Sequence, residues 1–131
     1  MEKNIVVIAH DRKKPVLLNF LKEREQWLMN RTILATGRTA EFIEQSESNL
    51  KIKHLSPGRS GGYKQITELI SEGEVQLVFF FHDPEVDYAY HPDIRELMDS
   101  CIERDVPLAL NGKSAELQII GLIRLELSQK N

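Results

Sequence analysis

Leu77-Val78-Phe79-Phe80-Phe81 is a run of five apolar residues that breaks at once into His82-Asp83-Pro84. A strand with one wet face alternates apolar and polar side chains, whereas a strand covered on both faces need not. The run therefore predicts a strand buried between two layers of helix and ending in a polar turn. Val6-Val7-Ile8-Ala9, followed by His10-Asp11, has the same form near the amino terminus. Working outward, β-rich stretches predict five strands: Ile5 to Ala9, Thr32 to Ala35, Ile52 to Leu55, Leu77 to Phe81 and Pro107 to Leu110.

Amphipathic segments fill the intervals. Pro15 to Leu28 carries Val16, Leu17, Phe20, Leu21, Trp27 and Leu28 at helical spacing. Thr39 to Gln45, Tyr63 to Ser71 (stopped by Gly73), Asp93 to Arg104 and Ser114 to about Leu127 complete the set. Alternating strands and helices predict an α/β fold: a doubly wound, parallel five-stranded sheet with right-handed crossovers, in a three-layer sandwich. No linker, repeat or low-complexity stretch interrupts it, so residues 1–131 read as one domain.

The chain has 131 residues, 41% hydrophobic and 28% charged, and a net charge of −3. That balance leaves no electrostatic footprint for nucleic acid or an anionic membrane. The clusters Arg12-Lys13-Lys14 and Lys51-Ile52-Lys53 are too small to change this. No apolar run reaches the length of a membrane span, and with no signal peptide ahead of the first strand the expected compartment is the cytoplasm. The single cysteine, Cys101, cannot form an internal disulfide, and its place among Ile94, Leu97, Met98 and Ile102 predicts a buried thiol.

In a doubly wound sheet, ligands sit beyond the carboxyl ends of the strands. Those ends read His10-Asp11, Thr36-Gly37-Arg38-Thr39, Ser56-Pro57-Gly58, His82-Asp83-Pro84 and Asn111-Gly112. Each could be turn or capping chemistry alone. Five polar strand ends converging on one pocket make a stronger case for a site. In Ala35-Thr36-Gly37-Arg38-Thr39, a glycine precedes a helix start whose free N–H groups favour an anion. Thr36, Thr39 and Arg38 add further donors. Gly58-Arg59-Ser60-Gly61-Gly62 has the same logic, but lacks the Gly-Lys-Ser/Thr ending that a nucleoside triphosphatase needs. The expected ligand is a small phosphorylated metabolite, with Lys14 as a point charge. Asp83 and Asp93, beside His82 and His91, place two carboxylates around one loop, although Asp93 also suits a helix cap. A compact histidine pair for a metal is missing, and no metal is expected.

Together these stretches resemble the methylglyoxal synthase family over nearly the whole chain. VVIAHDRKK resembles the family's first strand, ending in A-H-D with a lysine beyond, and ATGRT resembles its A-T-G-T-T phosphate loop. GRSGGYKQITELISEGEVQLVFFFHDP is similar to the G-P-x-G-G-D-Q-Q loop, helix and strand ending in F-F-x-D-P. HPDIRELMDSCIERDVPLALN resembles the segment with a further aspartate and the V-P-x-A-T-N strand. The resemblance implies a cofactor-free lyase, usually a homohexamer, that converts dihydroxyacetone phosphate to methylglyoxal and phosphate. It puts Lys14, Thr36, Gly37, Arg38, Thr39, Gly58 and Gly61 around the substrate phosphate. Asp11, Asp83 and Asp93 fall on acidic active-site positions, with His10 beside the first.

The departures from the family pattern are specific. By the same resemblance, the base following the Gly-Gly pair is Tyr63, and the family's histidine aligns with Tyr90, with His91 one place later. Arg38 replaces a threonine, and the loop before Gly58 is one residue longer. A phenol with a reference pKa near 10 is a poor base at neutral pH. Two readings stand: a lyase whose base is Asp11, Asp83 or Asp93 assisted by His91, or a non-catalytic pseudoenzyme that senses a phosphorylated metabolite.

Overall fold

In the computed structural model, which describes residues 3–129, the two apolar runs lie side by side at the centre of the sheet. The strands are β1 (Asn4–Ala9), β2 (Ile33–Thr36), β3 (Ile52–Leu55), β4 (Val75–Phe81) and β5 (Leu108–Ala109). All neighbours are parallel, in the order β3-β2-β1-β4-β5. The helices are α1 (Lys14–Glu23), α2 (Glu25–Leu28), α3 (Gly37–Gln45), α4 (Gly62–Ser71), α5 (Pro92–Glu103) and α6 (Gly112–Gln129).

Strand pleating sorts the core into two clusters. Ile5, Val7, Ala9, Phe79 and Phe81 pack with Leu17 and Leu21 of α1, Ile43 of α3 and Ile119 of α6. Val6, Ile8, Val78 and Phe80 face the other way, against Ile66 and Ile70 of α4 and Leu97 and Cys101 of α5. Successive residues of β1 and β4 thus enter different cores, which is why their sequences do not alternate in polarity. The three-layer arrangement is the expected one. Cys101 is buried, and burial pushes its thiol up to about 11.

Differences from the predicted elements are local. The helix predicted from Pro15 to Leu28 breaks at Arg24 (φ −114°, ψ 17°) into α1 and α2. After the break Trp27 Nε1 donates to Glu126 on α6 at 3.3 Å, with the Arg31 guanidinium 4.1 Å from the Trp27 ring centre. The α6 helix begins two residues earlier than its apolar pattern, because Asn111 caps it by accepting from the Ser114 amide at 2.9 Å. Among the described residues no helix is long and apolar enough to cross a membrane.

With β2 and β4 on opposite sides of β1, the topology switches direction between β1 and β4. The loop between β3 and α4 folds back over that end of the sheet through a 3-10 turn at Gly58–Ser60. Two of its glycines are required: Gly61 has φ +109°, and a Cβ on Gly62 would lie 2.2 Å from the Ser56 carbonyl oxygen. Since the obstacle at Gly62 is backbone, we expect Gly62→Ala to destabilise the protein by at least the about 1–3 kcal/mol typical of overpacking. A fall in the urea midpoint checks it, and unchanged stability would mean the loop can move away from α4.

Candidate functional site

A cavity of about 190 Å³ opens at the carboxyl ends of β1, β2 and β3, and its walls include His10, Asp11, Lys14, Thr36, Arg38, Thr39, Gly58, Arg59, Tyr63 and Tyr88. Pockets for drug-sized ligands run to about 300–1,000 Å³, so this one suits a small metabolite. Three of the five predicted strand ends meet here, joined by Tyr88 from the loop after β4. The fifth does not, since Asn111 is occupied as the α6 cap.

Lys14 is buried at the start of α1, and its ammonium donates to the Ala9 carbonyl (2.9 Å) and to Asp11 Oδ1 (2.8 Å). An ammonium has three donors, so one is left for a ligand. The Thr39 hydroxyl accepts from the Ala9 amide (3.3 Å), and Thr36 Oγ1 lies 3.3 Å from it. Both threonines are buried, and Thr36 makes no side-chain cap to α3. Asp11 is held below the usual carboxylate range, chiefly by its hydrogen bond from Lys14 and then by that residue's charge.

His10 is only 3% exposed. Its Nδ1 accepts the Asp83 backbone N–H at 2.8 Å, which fixes the ring as the neutral tautomer carrying its proton on Nε2. Among the described residues, that Nε2 has no partner. Burial, reinforced by the charge of His82, lowers the His10 pKa to about 4, so the ring stays neutral at physiological pH. A neutral imidazole with a free N–H donor is a group that can polarise a carbonyl without exchanging charge with solvent.

The other predicted residues divide by placement. Asp83 is fully buried, but its carboxylate is taken by Arg12, with Nε to Oδ2 at 2.7 Å and Nη2 to Oδ1 at 2.8 Å. This pairing, with the Glu85 amide also donating to Oδ1, holds its pKa at about 2. Asp83 lies outside the cavity lining, and so do Asp93 and His91. His91 caps α5, its Nδ1 accepting from the Asp93 amide at 3.1 Å, and Asp93 sits in the first turn where an acidic side chain suits the helix dipole. Gly37 gives its amide to the Ser56 carbonyl (3.3 Å). Gly61 also lies outside the lining, and the amides of Ser60 and Gly62 on either side of it bond Pro57 (2.9 and 3.0 Å). The second glycine loop therefore offers fewer backbone donors than its composition implied.

Tyr63 lies in the first turn of α4, stacks on Phe80 with ring centres 5.8 Å apart, and is 5% exposed. Burial pushes its phenol up to about 12. Gly58 lies against this ring: a Cβ there would stand 2.4 Å from Tyr63 Cζ. Tyr88 is the residue sequence reasoning missed; the guanidinium of Arg59, which was read as part of the glycine loop, lies 3.8 Å from its ring centre. Its place within the glycine loop marked Arg59, whereas nothing in the sequence marked Tyr88. Among the described residues, no group of three or more His, Cys, Asp or Glu side chains is placed to hold a metal ion.

A parallel α/β sandwich with a donor-lined cavity at the carboxyl ends of its strands is the architecture of a small-metabolite site, and a solved structure similar to this chain shares that fold. The sequence model of the MGS-like domain matches residues 17–110. A methylglyoxal synthase of Borreliella afzelii (strain PKo) is 41% identical over 127 residues, covering 97% of this chain and 99% of its own length. One from Acholeplasma laidlawii (strain PG-8A) is 40% identical over 115 residues, 88% of this chain and 93% of that relative. The crystal structure of methylglyoxal synthase from Elizabethkingia anophelis NUHP1 superposes with a TM-score of 0.78 at 27% identity, covering 88% of this chain and 76% of that one. This chain belongs to the methylglyoxal-synthase-like family.

The His10 ring makes stability depend on pH in a defined direction. In the fold it stays neutral down to about pH 4, whereas in the unfolded chain it protonates below about 6.5. Between those values the unfolded state binds more protons, so its contribution is complete above 6.5 and is lost as pH falls toward 4. Urea unfolding of wild type at pH 7 and pH 5 should show that loss, and His10→Gln should flatten it. An equal slope in the variant would assign the loss to other groups.

Proposed function

We propose that this protein is a phosphate-eliminating lyase of the methylglyoxal synthase type, acting on dihydroxyacetone phosphate. The observation that carries the reading is the unpartnered Nε2 of neutral His10, on a ring that lines a cavity together with cationic and hydroxyl side chains and one carboxylate. The substrate phosphate sits with Lys14, Thr36, Thr39 and Arg38. Asp11, the one carboxylate among the lining residues, removes the proton from the hydroxyl-bearing carbon. His10 Nε2–H donates to the carbonyl oxygen as it gains negative charge. The carbon–oxygen bond to phosphate then breaks, the electron pair leaves with the phosphate, and the enol left behind tautomerises to methylglyoxal.

This assignment makes the lyase slow. Lys14 both bonds Asp11 and lowers its basicity, so substrate phosphate must draw the ammonium away before the carboxylate acts. Tyr63, which by resemblance holds the family's base position, supplies no basicity with its pKa at about 12. The same observation favours a second reading, in which the cavity binds a phosphorylated metabolite and performs no elimination.

Assaying methylglyoxal and phosphate release together from dihydroxyacetone phosphate separates the two. We expect equal release of both products, and at least about 10²-fold loss of kcat in Asp11→Asn with substrate binding retained. Binding without turnover in wild type would establish the second reading. Full activity in Asp11→Asn would remove Asp11 as the base. Tyr63→Asp should raise turnover if a carboxylate at that position can reach the substrate, and unchanged turnover would show that Asp11 alone sets the rate.

A further inference from the structure

The donors of the cavity outnumber what one phosphate group can use. Lys14 and Asp11 balance each other at 2.8 Å. Among the described residues, neither Arg38 nor Arg59 has a carboxylate partner, and each guanidinium carries five N–H donors. His10 Nε2–H is unpartnered as well. Against these, the lining offers a single carboxylate. The cavity is therefore positive and donor-rich on a chain whose net charge is −3.

The two guanidiniums stand in different layers. Arg38 belongs to the first turn of α3, beside Thr39, and also lines a second cleft with Asp11, Lys14, Glu41, Phe42 and Gln45. A phosphate seated by Lys14, Thr36 and Thr39 lies on this side of the sheet. Arg59 rises from the loop before α4, and its guanidinium rests on the Tyr88 ring at 3.8 Å. Tyr88 itself packs against the core on the α4 and α5 face and meets His10 edge-on, with ring centres 5.4 Å apart. Stacking fixes the plane of an arginine while leaving its N–H edge free, so little ordering remains when an anion binds.

We propose that the natural ligand carries a second anionic group, a carboxylate or a second phosphate, and that Arg59 braced on Tyr88 receives it. This rests on the second reading above, in which Lys14, Thr36 and Thr39 hold the phosphate of a metabolite that the cavity binds without eliminating it, and release of methylglyoxal from dihydroxyacetone phosphate by wild type would overturn it. Arg59 then acts as a specificity residue, separating singly charged-group triose phosphates from metabolites with an anion at each end. His10 Nε2–H serves the carbon chain between the two anions.

Calorimetric titration with four probes tests it: inorganic phosphate, glycerol 3-phosphate, 3-phosphoglycerate and glycerol 1,3-bisphosphate. In wild type we expect a two-anion probe to bind roughly 10- to 100-fold more tightly than glycerol 3-phosphate, as a bidentate charge-assisted contact provides. Preference for 3-phosphoglycerate over the bisphosphate identifies the second group as a carboxylate, and the reverse preference as a phosphate. Arg59 is exposed, so Arg59→Gln should fold normally, and it should reduce the preference to within about twofold. Tyr88→Leu, which removes the brace and keeps the charge, should reduce it by a smaller factor. Absence of preference in wild type, or its survival in Arg59→Gln, overturns the inference while phosphate binding stands. Failure of all four probes to bind at millimolar concentration overturns the phosphate site itself, and the inference with it.

Discussion

One hydrogen bond organises the site: the Asp83 amide donating to His10 Nδ1 across the β1–β4 seam. These strands are the central pair, in register from Ile5–Leu77 to Ala9–Phe81. The residues just past their ends are therefore neighbours by construction. The Asp83 amide decides the His10 tautomer, because an acceptor at Nδ1 leaves the proton on Nε2. The Asp83 carboxylate meanwhile grips Arg12, which sits between the two residues that carry the cavity's ion pair, Asp11 and Lys14. A single buried aspartate thus sets the protonation of one catalytic candidate through its backbone and anchors the loop of the others through its side chain.

That economy explains why the cavity is rich in donors and poor in bases. A carboxylate as enclosed as Asp83 is kept ionised only by a partner as good as Arg12, and that pairing removes it from proton chemistry. Lys14 has a similar effect on Asp11, though less completely, because Asp11 stays mostly exposed. A phosphate arriving at the ammonium competes for the hydrogen bond that lowers Asp11's basicity. On the proposed assignment of Asp11 as base, phosphate binding and activation of that carboxylate would be coupled through Lys14.

The fold was legible because the runs at Val6–Ala9 and Leu77–Phe81 admit few environments: each of their faces meets a helix layer. The ends of helices were less legible, since Asn111 extends α6 by a side-chain cap that apolar periodicity cannot register. Of the candidate site, the residues directly following β1 and β2 were found, because position in a parallel sheet largely determines their neighbours. Asp83 and Asp93 are acidic at the right strand and helix ends, yet their roles depend on partners 71 residues away in one case and two in the other. Sequence distance says nothing about which carboxylate Arg12 will reach. Tyr88 was invisible for a related reason: a lone aromatic in a loop gains meaning only from the guanidinium that comes to rest on it.

Tyr63 shows how far the surroundings constrain any change at the site. Its ring fills the space between Phe80 and Gly58, and Gly58 has no side chain to contest it. A shorter residue at position 63 leaves a void on the α4 face of the core and removes the stack on Phe80. Cavity formation of this kind costs several kcal/mol when an aromatic ring is removed, about 3–5 for a full truncation. An aspartate there would also enter a position that is 95% enclosed, and its ionised form would need a cation within reach. Arg59 is the candidate, because its charge already acts on the Tyr63 phenol. Taking Arg59 off the Tyr88 ring to neutralise a new carboxylate would use up the N–H edge that the present arrangement leaves without a carboxylate partner among the described residues. The tyrosine and the two-arginine cavity therefore belong together: a base at position 63 and an uncommitted Arg59 are competing uses of the same space.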